Sequence, residues 1–190
     1  MNASTILLLL VLAIPVILAM LYNSLVRLRN EVAASWRQID VQLTRRHDLI
    51  PNLVEAVKGY MQFERDTLTQ VVEARNQAIN AGSQSARMAA ENQLTAGLGR
   101  LLAVFERYPD LKADQNVLRL QEELTTTENQ LAFARQAYND LVMQLNTRIQ
   151  SFPTSLIARQ IGFTEAEYFK APAGNEAVPQ VNLSLGAGRS

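Results

Sequence analysis

Sixteen consecutive apolar residues, bounded by Ile6 and Leu21, stand near the start of the chain, and no Asp, Glu, Lys or Arg falls between Ala3 and Val26. As a helix that uncharged window is about 36 Å long, against a hydrocarbon core of about 30 Å. Tyr22 falls where an interfacial aromatic sits, and Arg27 and Arg29 follow where a guanidinium can touch anionic lipid. Pro15 leaves one backbone carbonyl unpaired, which membrane helices tolerate. A cleaved secretory signal fits poorly, because no Lys or Arg precedes the run and no A-x-A-like site follows it. The pattern predicts a transmembrane anchor over residues 1–26.

Beyond the anchor the apolar positions keep a helical period. Between Val16 and Ile50 there is no Gly and no Pro, and Leu25, Leu28, Val32, Trp36, Ile39, Leu43 and Ile50 recur at spacings of three, four or seven. This is one stripe on a helix that runs straight out of the bilayer. The stretch from His47 to Asn52 predicts a break, with Asp48 as cap and Pro51 in the first turn of a second helix over residues 51–80. A third helix is expected over residues 85–107, where Gly97 and Gly99 suggest close approach of a neighbour. The fourth is the most regular, with Val117, Leu120, Leu124, Thr127, Leu131, Ala134, Tyr138, Leu141 and Leu145 alternating spacings of three and four like a coiled coil. Phe152-Pro153 stops it. An apolar hook follows in which Thr164 and Glu167 suit a capping box. The last twenty residues carry no periodicity and are expected to be disordered.

Such stripes with short connections predict an all-α protein. Its transmembrane helix continues into an elongated antiparallel four-helix bundle over residues 27–170, with a tail over residues 171–190.

Composition then removes functions. The chain has 190 residues, no cysteine, one histidine and a formal net charge of zero. Thiol catalysis, disulfides and iron–sulfur clusters are excluded, and no basic excess points to nucleic acid. No Gly-rich phosphate loop is present, and one histidine cannot furnish the two Glu-x-x-His motifs of a di-iron bundle. No catalytic, cofactor or metal site is expected. Arg45, Arg46, His47 and Asp48 form the one notable charged cluster. It reads as a helix-end cluster in which arginines meet exposed carbonyls, or as a partner-binding or pH-responsive patch. Glu122, Glu123 and Glu128 read as a solvated face, and Trp36 as core.

Two strings carry a family resemblance: YNSLVRLRNEV at 22–32 and WRQIDVQLTRRHDLIPNLVE at 36–55. With YPDLKA at 108–113, LQEEL at 120–124, TEN at 127–129, Ala134-Arg135, Tyr138-Asn139, Phe152-Pro153, Gly162-Phe163 and Tyr168-Phe169, they resemble the bacterial LemA family. The resemblance implies a single-pass membrane protein with a helical-bundle body, and it implies no catalytic residues.

Arg27, Arg29, Arg37, Arg45 and Arg46 follow the anchor, against Glu31 and Asp40, and no Lys or Arg precedes it. That asymmetry predicts a body on the cytoplasmic side of the bacterial inner membrane, with a periplasmic body as the alternative. An anchor that enters its body without a linker suits a scaffold better than a tethered enzyme, and fifteen Arg against three Lys suits interfacial ion pairing. The expected function is a non-catalytic, membrane-anchored scaffold that forms homo-oligomers. The alternative is a regulatory adaptor for another membrane protein, such as an envelope protease or a sensor kinase.

Overall fold

The computed structural model describes residues 3–61 and 63–170. The expected disordered tail lies outside the described residues. Helices α1 (Ala3–Val57), α2 (Arg65–Ile79), α3 (Gln84–Phe105), α4 (Pro109–Ala113) and α5 (Gln115–Gln150) are followed by a 3-10 turn at Thr154–Leu156. Among the described residues there is no strand. The fold is all-α, with a long apolar helix leading into further helices.

Helix α1 has 55 residues and is about 82 Å long. From Val11 to Met20 its side chains are all exposed, although nearly all are apolar. A lone helix with this surface is unsuited to water, and it is long and apolar enough to cross a bilayer. Packing sets in at Leu21 and Tyr22, and Leu25 is fully buried.

From Leu25 onward α1 pairs antiparallel with α5. Leu25 and Leu28 share one apolar cluster with Leu145 and Ile149, and Ile50 and Leu53 share a second with Val117 and Leu124. Helices α2 and α3 form a hairpin over the second cluster, contributing Leu68, Val71, Leu94, Leu98, Leu101 and Phe105. The result is an up-down-up-down bundle, and each fully buried Leu contributes about 2 kcal/mol. Ser83 starts α3 by accepting the Ala86 N–H at 3.1 Å, and Asp114 starts α5 by accepting those of Asn116 and Val117. Gly97 faces Val71 with room for a methyl group and Gly99 faces open space, so neither glycine is required by a close helix contact.

The expected break at residues 47–52 is absent. Helix α1 passes through Pro51 and ends six residues later, and Asp48 is an exposed mid-helix residue rather than a cap. Proline lacks the N–H that would satisfy the carbonyl four residues back, at His47. Here Arg75 of α2 donates its Nε–H to that carbonyl at 2.7 Å. The second helix is accordingly shorter than expected and begins at Arg65.

The capping box at Thr164 and Glu167 is also absent, because residues 163–170 form no helix. Two side-chain amides of α5, seven residues apart, hold this strap. Asn146 donates to the Ala166 carbonyl at 2.9 Å and accepts its N–H at 2.8 Å. Asn139 does the same for Phe169, at 3.0 and 2.8 Å. Tyr138 donates to the Glu167 carbonyl at 2.9 Å. These bonds satisfy backbone groups that a helix would otherwise pair internally. Gly162, at φ 80°, turns the chain into the strap, and the Phe163 N–H closes back on the Ala158 carbonyl at 2.9 Å.

Candidate functional site

The four residues of the charged cluster separate. Arg45 and Asp48 are exposed, whereas Arg46 is 0% exposed and His47 5%. A helix turns about 100° per residue, so neighbours in sequence look in different directions. Arg46 and His47 face α3 and α5, between the two apolar clusters.

Around Arg46 the partners come from two other helices. Its Nη1 donates to Glu128 Oε1 of α5 at 2.7 Å and to Thr95 Oγ1 of α3 at 2.9 Å. Its Nη2 pairs with Glu91 Oε2 of α3. Glu91 is fully buried, and its second oxygen lies 2.9 Å from His47 Nε2. Glu128 is therefore half-buried and engaged, not part of a solvated face. Nearer the anchor, Arg87 of α3 meets Asp40 of α1 at 2.9 Å.

Burial alone raises the Glu91 pKa, but the His47 contact and the Arg46 charge outweigh it and hold the carboxyl below its ordinary value of 4.5. Arg135 of α5 is pushed down to about 10, first by burial and then by repulsion from Arg46, with Glu128 and Glu91 opposing. Its guanidinium lies 4.3 Å above the Phe169 ring, and its Nε and Nη2 have no hydrogen-bond partner among the described residues.

A buried charge needs its partner within a few ångströms, so sliding α1 by one turn against α3 or α5 would strand Arg46 among apolar groups. The arrangement sets helix register. His47, 5% exposed, turns its ring to Glu91 of α3. Sequence reasoning found Arg46 and His47 but missed Glu91, Thr95 and Arg135. Their signal was faint: a carboxylate on the apolar side of α3, three residues before Leu94.

Ile6 and Pro15 lie within α1, Leu21 is half-buried, and the Tyr22 ring meets that of Phe163 edge-on at 5.9 Å. Arg27 is exposed and lies 3.7 Å from Glu31. Arg29 sits 5.0 Å over the Phe163 ring. Trp36 packs against the proximal cluster, 5.5 Å from Tyr138 and 6.2 Å from Phe169.

Comparison with known proteins agrees with this anatomy. The chain is 26% identical to Protein LemA of Metamycoplasma hominis over 78% of its own length and 68% of that protein. It is 26% identical to Magnetosome protein MamQ 2 of Paramagnetospirillum magneticum and 24% identical to Magnetosome protein MamQ of Magnetospirillum gryphiswaldense, in both cases over 88% of this chain and 72% of the relative. None of these is the name of an enzyme. The model of the LemA family matches residues 35–183, a span that takes in α1 from residue 35 onward and the whole of α2, α3, α4 and α5, and the chain belongs to the LemA family.

Proposed function

We propose that this membrane-associated protein is a non-catalytic scaffold anchored in the bacterial inner membrane, whose copies assemble through their membrane helices. One observation carries the reading: α1 is continuous from the apolar segment into the bundle core, with no linker between Met20 and Leu25. A tethered enzyme needs no fixed orientation, whereas an assembling element gains from one, since each copy then presents its body at the same height and angle. Span packing would rest on Leu, Ile and Ala, because no GxxxG is present. That the relatives bear magnetosome names rather than enzyme names accords with this. The arginine excess after the anchor favours a body in the cytoplasm over one in the periplasm, which a reporter fused at Ser190 tests.

Light scattering on detergent-extracted full-length protein, beside a form starting at Tyr22 that keeps Leu25, tests assembly. A defined large species that becomes monomeric on truncation supports assembly through the span. Two monomers overturn the scaffold reading. Two large species move the contact to the body.

An adaptor role, for an envelope protease or a sensor kinase, is the second reading. The turn between α1 and α2, at the far end from the anchor, exposes Phe63 at 93% and Tyr60 at 42%, a foothold for a different protein. Copurification of another membrane protein at fixed stoichiometry, lost in Phe63→Ser, would favour it.

A further inference from the structure

The antiparallel pairing of α1 with α5 returns the chain to the bilayer. Arg46 lies opposite Glu128, and Leu25 shares its cluster with Ile149, so the chain leaves α5 level with the point where α1 loses its packing partners. The Phe163 ring, which ends the excursion that follows, touches Tyr22. Residues 151–162 are therefore built at the foot of the body, beside the span.

This hook has two sides. Thr154 and Ala158, 2% and 0% exposed, peg it to the bundle. Phe152 is 81% exposed and Leu156 64%, and Ile161 is exposed as well. Three large apolar side chains on one short turn are costly in water, and they adjoin a helix whose own apolar side chains are bare. Within the hook and the end of α5 the charge has one sign. Arg148 and Arg159 flank the turn, and Arg27 and Arg148 line the same groove beside Ser24 and Ser151. Residues 148–162 contain no carboxylate.

We propose that residues 151–162 are an interfacial hook that seats Phe152, Leu156 and Ile161 at the headgroup–acyl boundary of a lipid bilayer, with Arg27, Arg148 and Arg159 on lipid phosphates. This rests on reading α1 as the membrane span. Continuity with the span and the carboxylate-free, cationic stretch 148–162 point to lipid rather than to a second copy. Apolar side chains flanked by basic ones on a surface element match interfacial insertion. The hook gives the body a second attachment, offset from the axis of α1, which fixes its rotation about that axis.

The chain has no cysteine, so single cysteines introduced into the full-length protein can each carry a spin label. Four positions suffice: Leu12→Cys in the span, Phe152→Cys and Leu156→Cys in the hook, and Phe133→Cys on the exposed side of α5. In phosphatidylcholine–phosphatidylglycerol vesicles, collision with dissolved oxygen is compared with collision with a water-soluble nickel chelate. The expected result is loss of chelate collisions at 12, 152 and 156 and their retention at 133. Labels at 152 and 156 as open to chelate as 133, with 12 protected, would overturn the hook alone. Chelate access at 12 would instead overturn the span. Protection at 152 that disappears when the lipid-to-protein ratio is raised would mean a second copy covers the hook, and that also overturns the proposal. Protection is expected to weaken in pure phosphatidylcholine, and the Arg148→Gln/Arg159→Gln pair is expected to abolish this lipid dependence. If the dependence survives the pair, the phosphate contacts are wrong.

Discussion

The two ends of the body solve the same packing problem by different means. The distal half is closed by helices: α1, α2, α3 and α5 each turn an apolar face inward around Leu53, Leu94, Leu101 and Leu124. The proximal half has only α1 and α5 along its full length, and its third wall is the non-helical strap carrying Phe163 and Phe169. Periodicity builds the first. Three polar side chains, Tyr138, Asn139 and Asn146, build the second. Between them lies the ionic layer of Arg46, Glu91 and Glu128. A regular stripe is thus enough to close a four-walled bundle, but a two-helix end needs individually placed hydrogen bonds to recruit a cover.

Breaking the layer between the halves should cost most. Arg46→Met leaves the Glu91 carboxylate buried without its guanidinium, and urea denaturation in detergent should show a loss of about 3–5 kcal/mol. Arg46→Met combined with Glu91→Met should recover much of that loss. If the single change costs little, the layer does not set register.

Releasing the strap comes next. Asn146→Ala removes both bonds to Ala166 and should cost about 1–3 kcal/mol. Hydrogen exchange should quicken at Ala166 and Phe169 and stay unchanged at Leu98 and Leu101. Equal quickening in both halves would show that they open as one unit.

The proline in α1 offers a smaller and sharper test. Arg75→Met should cost about 1 kcal/mol by orphaning the His47 carbonyl. In a Pro51→Ala background the new N–H takes that carbonyl, and the same change should cost less. Equal costs in the two backgrounds would separate Arg75 from the proline.

Acid probes the layer from another side. Glu91, facing Arg46 and His47 of α1 and Glu128 and Arg135 of α5, has its pKa lowered in the fold. It therefore adds stability at pH above 4.5, the ordinary value, and that increment is lost as pH falls through the folded value. Glu91→Gln should flatten this part of the urea-midpoint profile. The smallest effect is expected at Arg135, whose charged form is opposed by burial and by Arg46. Arg135→Met, which keeps the stem and removes the charge, should be neutral or stabilising by about 1 kcal/mol.

The fold class was legible because the stripe residues of α1 and α5 are the buried ones, from Leu25 and Leu28 through Leu131 and Ile149. What escaped was set by single long-range bonds. Pro51 looked like a helix start because nothing near it in sequence announces Arg75. Thr164 and Glu167 had the right spacing for a cap, but Asn139 and Asn146 compete for the same backbone. Glu128 looked solvated because the residue that draws it inward, Arg46, lies 82 positions away.

An unbroken α1 also converts bilayer thickness into position. A span longer than the hydrocarbon core relieves the mismatch by leaning, and membrane helices lean by about 20° on average. From Tyr22 to Val57 the shaft extends about 53 Å, so such a lean carries its far end sideways by about 18 Å. Bilayers of different thickness would then hold the exposed Phe63 at different lateral offsets, with the foot of the body as fulcrum.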